Sequence, residues 1–248
     1  MGVLHTTIST TIYSNAYLVR AWEQRSSLTE YERYGFAQFF YLTLTSHVEA
    51  TINKLVEHRL MSIRSMAHSF REKSITSKKD GQDISISFAP IYSSLKAVMK
   101  AFEKKAETAT LEKIKSVFSQ IFDIDLKNTL GDLNSDLEAL AKLRNIFAHG
   151  NDLWLQFEQT EENRMSLDKN PLQLPAQRLL TAGILKNLRF DGRNNHEFMT
   201  IFYHDDAMLY FLDKSQKIEL TLKSFCIPFE TELPFMIFPL PDLKAIIH

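Results

Sequence analysis

Leu143-Arg144-Asn145-Ile146-Phe147-Ala148-His149-Gly150-Asn151 is the stretch on which the reading of the fold turns. Its first seven residues close an amphipathic segment that begins at Asp132. At about 100° per residue, Leu133, Leu137, Leu140, Phe147 and Ala148 share about 100° of arc, the stripe of a core-facing helix. Arg144 falls in the middle of that stripe, where a leucine is expected. A guanidinium stays charged at neutral pH and is rarely buried without a partner. The spacing therefore predicts a helix over 132–149 with one cation on its inner face. His149 closes the helix, and Gly150 stands where a left-handed cap belongs.

Outward from this helix the chain is helical in both period and punctuation. Ile12, Ala16, Val19 and Trp22 predict a first helix within 8–25. Ser27…Glu30 and Thr29…Glu32 both have capping-box spacing, so a second helix begins there. It runs to about Glu72, with Phe36, Phe40, Leu44, Val48, Ile52 and Leu55 making it apolar over a wide arc. Such a helix is either a central core helix or one that also packs on a second copy. Ser74–Asp83 reads as a polar loop, and Pro90 suits the first residue of a further helix. Ile91 to Ala106 and Leu111 to Phe122 each repeat at helical spacing.

Beyond Gly150 the pattern changes. Residues 158–175 are polar, with Pro171 and Pro175, and read as a linker. Arg178–Leu188 can form a helix. Glu197–Tyr203, Ala207–Leu212 and Ile218–Phe225 are short apolar runs separated by Asp205-Asp206 and Asp213-Lys214-Ser215-Gln216, a pattern that predicts a β-meander. Four of the seven prolines lie between Pro228 and Pro241, which predicts an extended tail. The expected architecture is mainly α: an antiparallel helical bundle over 1–157 with a small β-rich extension over 158–248.

Arg144-Asn145-Ile146-Phe147-Ala148-His149 resembles the Arg-Asn-x-x-x-His signature of the HEPN superfamily, small all-α domains that include many metal-independent ribonucleases of toxin–antitoxin, phage-defence and RNA-processing systems. The resemblance covers residues from about 30 to 155. It implies a HEPN-like bundle and an endoribonuclease that needs no metal or other cofactor. Arg144, Asn145 and His149 are the catalytic candidates. His149 has the side-chain type that titrates nearest neutrality. Arg144 carries a planar donor fork that matches phosphoryl oxygens. Asn145 precedes His149 by four residues and shares a helix face with it.

Arg144 and His149 are about 140° apart on an ideal helix, so one chain does not present them side by side. Either the helix end distorts or two copies face one cleft. The family commonly uses the second arrangement, so a homodimer with a composite site is expected. An acid should meet Arg144, and Glu49, at the edge of the apolar arc of the second helix, is the candidate. The alternative for Glu49 is a local pair with Asn53 or Lys54. Basic residues at Arg59 and Arg64, and at Lys100 and Lys104, are candidates for RNA phosphates. A solvated helix face is the commoner explanation. A family antitoxin that modifies a Tyr two residues after the His meets Asn151 here, so that form of control is not expected; another antitoxin or regulatory partner remains open.

Bulk properties narrow the classes. A net charge of −1 excludes nucleic-acid binding through the global field and leaves only local patches. One cysteine, Cys226, excludes an internal disulfide and a cysteine-rich zinc site. No run approaches a membrane span and the first residues lack a signal-peptide pattern, so a soluble cytoplasmic protein is expected. The alternative to the enzyme is a non-catalytic HEPN-like module that binds RNA or protein, with the β-rich extension as its docking element.

Overall fold

The computed structural model describes residues 10–70, 74–79, 82–107, 111–149, 158–159, 165–166, 172–185, 200–226 and 239–246. Its helices are α1 (Thr10–Gln24), α2 (Glu30–Phe70), α3 (Ala89–Glu107), α4 (Leu111–Phe122), α5 (Leu126–Leu130), α6 (Asp132–His149), α7 (Gln173–Thr181) and α8 (Asp205–Cys226). The strands are β1 (Ser74–Lys79) and β2 (Gln82–Ser87), then the two-residue β3 (Glu158–Gln159) and β4 (Met165–Ser166). The described residues are thus overwhelmingly helical.

Local chemistry sets the boundaries. The Thr29 amide donates to Glu32 Oε2 at 2.7 Å, and the Glu32 amide reaches back to Thr29 Oγ1 at 3.5 Å. Of the two candidate capping boxes, this is the one that starts α2. Gly131 adopts φ +53° between α5 and α6, a conformation that glycine takes without a Cβ penalty. The turn frees α6 to begin at Asp132.

The chain divides into two compact units. The first comprises residues 1–48 and 130–248, and the second residues 49–129, with α2 contributing to each. This division does not follow the expected boundary between 157 and 158. In the first unit, Leu18 and Trp22 of α1, Phe36, Phe40, Tyr41 and Leu44 of α2, and Leu140, Leu143 and Phe147 of α6 share one core. Leu172, Ala176, Leu179, Phe202, Phe211 and Leu212 complete it and thus pack in the same core as α6. In the second unit, Leu55, Val56 and Leu60 of α2, Met99 of α3, Val117, Phe118 and Phe122 of α4, and Leu126 of α5 are buried.

Three expectations are overturned. Residues 205–226 are one helix, not two strands of a meander. Ala207, Met208, Phe211, Leu212, Ile218 and Leu222 are its buried positions, at helical spacing. Leu220, which made Ile218-x-Leu220-x-Leu222 look alternating, is 67% exposed. Ser215 lies on the inner side and donates to the Phe211 carbonyl at 2.8 Å, so the supposed turn is a helical one. Ile201–Tyr203 is a 3₁₀ turn, and the start of the first expected strand, 197–199, lies outside the described residues.

Ser74–Asp83 is not a loop. β1 and β2 pair antiparallel from Ser74↔Ser87 to Lys79↔Gln82, leaving Asp80-Gly81, a favoured hairpin dipeptide, between them. The linker expected over 158–175 instead contains the start of α7, where Pro175 occupies the first turn and needs no donor. The expected helix Arg178–Leu188 begins earlier and ends at Thr181. Of the extended tail, residues 227–238 lie outside the described residues, and Leu243–Ile246 form a 3₁₀ turn.

Candidate functional site

The motif helix forms over the expected residues, but its inner face is turned from the one expected. Asn134, Asp136, Leu137, Ala139, Leu140, Leu143 and Phe147 are buried, and Ala148 is exposed. Replacing Ala148 by Asp136 and Leu143 shifts the centre of the stripe by about 30°. Arg144 therefore stands off the centre of the stripe, between Leu140 and Leu137 on the wheel, and is half-buried. Its guanidinium donates from Nη1 to Asn145 Oδ1 at 3.1 Å, and Asn145 is exposed. Two of the three catalytic candidates thus meet at the rim of the core. His149 ends α6; its side chain, Gly150 and Asn151 lie outside the described residues.

Phe147 anchors the rim from inside. Its ring stacks on Tyr41 at 5.6 Å and 17°. The Tyr41 hydroxyl donates to the Phe202 carbonyl at 2.8 Å, and burial pushes that phenol well above its usual value. Two residues before His149, the helix is thus held by an aromatic pair fixed at its polar end.

The ion pair of the motif helix is one that sequence reasoning missed. Asp136 is 1% exposed and accepts both arms of the Arg178 fork, Nε at 2.6 Å and Nη2 at 3.0 Å. The Tyr210 hydroxyl donates to the same carboxylate at 2.6 Å. One buried acid thereby ties α6 to α7 and α8. The Asp136 hydrogen bonds raise the Arg178 guanidinium, outweighing burial. Burial first, then the bond to Asp136, raises the Tyr210 phenol. The sequence signal was available: on the wheel Asp136 lies within about 40° of Leu140, Leu143 and Phe147.

A second buried polar cluster was also missed. Glu219 of α8 is 3% exposed and accepts from Lys223 Nζ. The Leu240 amide donates to its other oxygen at 3.4 Å. His47 Nε2 of α2 lies 3.3 Å from that oxygen, within ion-pair reach but not aligned for a linear hydrogen bond. Burial alone would raise the Glu219 carboxyl; His47 and Lys223 outweigh it and hold it below the ordinary value.

Glu49, the candidate partner of Arg144, is half-buried on α2 and is the first residue of the second unit. Arg59 is half-buried, whereas Arg64, Lys100 and Lys104 are exposed. Lys100 and Lys104 are four apart on α3 and share a face. Among the described residues no three His, Cys, Asp or Glu side chains are grouped to hold a metal, and no helix is long and apolar enough to cross a membrane. Comparison with protein-family models, with curated proteins and with solved structures gives no match.

Proposed function

We propose that this chain is a HEPN-type, metal-independent endoribonuclease that works as a homodimer in the cytoplasm, as a toxin or antiviral-defence effector. The observation that carries this reading is the Arg-Asn-x-x-x-His motif closing one continuous helix, with Arg144 and Asn145 in contact at the core's rim. In this reading the 2′-OH of the substrate attacks the adjacent phosphorus. The bond to the 5′-oxygen breaks, leaving a 2′,3′-cyclic phosphate and a 5′-OH. His149 takes the proton from the 2′-OH, and a proton from water goes to the leaving oxygen. Arg144 holds the phosphoryl oxygens, where negative charge accumulates. Asn145 orients the imidazole or binds the phosphate.

The two-fold dimer brings Arg144 of one copy to His149 of the other, which the angular separation along α6 calls for. Glu49 pairs with Arg144 and sets its direction. Arg59, Arg64, Lys100 and Lys104 supply phosphate contacts along the RNA. A regulatory or antitoxin protein restrains the activity.

RNA incubated with the protein in excess EDTA tests the reading. Wild type is expected to cleave, and Arg144→Ala and His149→Ala are not. Loss of cleavage on chelation would overturn the mechanism. No cleavage of varied RNAs, with no growth effect on expression, would assign the chain to a non-catalytic binding module.

A further inference from the structure

The end of α1, the start of α2 and the start of α8 converge on a surface built from tyrosine rings and carboxylates. Tyr31 is 83% exposed, the highest among the exposed large apolar residues described. Its ring meets Tyr34 edge-on at 6.3 Å. Tyr34 lies 4.3 Å from Tyr203, and both are half-buried. The Tyr34 hydroxyl donates to Glu30 Oε1 at 2.5 Å, and burial with this bond pushes its pKa up to about 12, so the ring stays neutral. Glu30, Glu32, Asp205 and Asp206 are all exposed. Against these four acids stand Arg33, exposed, and Arg25, already bound to Asp205 at 2.8 Å.

A surface of this kind disfavours a phosphate backbone and favours a cation. The chain itself shows the mode of recognition. Arg25 stacks over Trp22 with its Cζ 4.1 Å from the ring centroid while its Nε binds Asp205. One guanidinium is thus held by an aromatic face and a carboxylate together. A few residues away the same two ingredients recur in Tyr31, Tyr34 and Tyr203 beside Glu30, with the exposed Asp206 next along the chain from Asp205. The Asp206 side chain has no hydrogen bond or ion pair among the described residues.

We propose that this tyrosine-and-acid surface is a docking site for a protein segment that presents arginine side chains. Arginine is preferred to lysine because its planar group stacks on a ring while its edge reaches a carboxylate. The site stands apart from the reading of α6 as a nuclease and does not depend on it. As a regulatory surface it can bind a partner whether or not the chain cleaves RNA.

The test titrates the full chain, at low ionic strength, with a hexa-arginine peptide, a hexa-lysine peptide and a single-stranded oligoadenylate RNA. Wild type is expected to bind hexa-arginine more tightly than hexa-lysine. Tyr31→Ala and Asp206→Asn should each weaken hexa-arginine binding by about fivefold, while Tyr31→Phe retains it. Glu57→Gln, an exposed acid in the second unit, should leave it unchanged. RNA binding should not respond to Tyr31→Ala. Tyr31 and Asp206 are exposed, so the variants are expected to keep the wild-type circular dichroism, and Tyr31→Phe controls for any local change. Absence of hexa-arginine binding would overturn the proposal, as would equal binding by wild type and both weakened variants. A loss of RNA binding on Tyr31→Ala, without loss of peptide binding, would reassign the surface to base stacking.

Discussion

Replacing Asp136 by Asn is the most informative perturbation of the scaffold. The carboxylate accepts three hydrogen bonds at 2.6, 3.0 and 2.6 Å, two of them from one guanidinium. It is 1% exposed, while the Arg178 side chain is 19% exposed. Removing one member of a buried ion pair costs about 3–5 kcal/mol, because the other charge is left without its partner. Partial exposure of Arg178 lets water take up some of that charge, so about 2–3 kcal/mol is expected. For a chain of this size that is about 4–12 °C in Tm. Arg178→Met alone should cost a similar amount. The double variant should cost clearly less than the sum, with a coupling of about 1–2 kcal/mol. Urea unfolding of the four proteins at neutral pH, with equal m values, supplies the cycle. An additive double variant, or an Asp136→Asn protein as stable as wild type, would refute the view that this carboxylate ties α6 to α7 and α8.

Three further outcomes follow from the same geometry. Glu219 is held below its ordinary value of 4.5, so its contribution is full above that pH and is lost as pH falls through the lower folded value. Wild type should lose stability below about pH 4.5 more steeply than Glu219→Gln, measured by denaturant midpoints from pH 6 to 3; equal slopes would remove the role given to His47 and Lys223. For Glu49 and Arg144, a cycle of Glu49→Gln with Arg144→Gln should show coupling above about 0.5 kcal/mol, and additivity would dissolve the pair. If the site is composite, mixing inactive Arg144→Ala with inactive His149→Ala under subunit exchange should restore cleavage through mixed dimers; a mixture that stays inactive would argue against sharing residues between copies.

The helices that sequence reasoning placed well are those whose apolar period is unbroken and whose ends carry caps. α6 was legible from Asp132 to His149, and α2 from the Thr29–Glu32 box. α8 was not, because polar residues interrupt its run and the exposed Leu220 completes a false alternation. Helical and strand periods agree over so few residues. β1 and β2 escaped because Ser, Thr, Lys and Asp dominate both strands, and the cross-strand register supplies a pattern that composition does not.

At the site, Arg144 and Asn145 were recognisable from their order in the chain, and their contact is present. The orientation of the helix was less legible. Counting Ala148 as core and omitting Leu143 placed Arg144 at the centre of the stripe. Alanine is weak evidence of burial, whereas a fully buried leucine contributes about 1.5–3 kcal/mol and fixes the face. The acid that α6 does bury, Asp136, went unremarked because its partners stand 42 and 74 residues away, on helices the sequence did not delimit.

The nature of the RNA ends tests the central proposal most directly. An unlabelled RNA of one length and sequence, with 5′-OH and 3′-OH ends, should be incubated in EDTA with wild type, Arg144→Ala and His149→Ala, and the product ends read by mass spectrometry. The account predicts cuts by wild type only, each leaving a 2′,3′-cyclic phosphate on the upstream fragment and a 5′-OH on the downstream one. Fragments bearing 5′-phosphates, or cleavage that survives both substitutions, would contradict it.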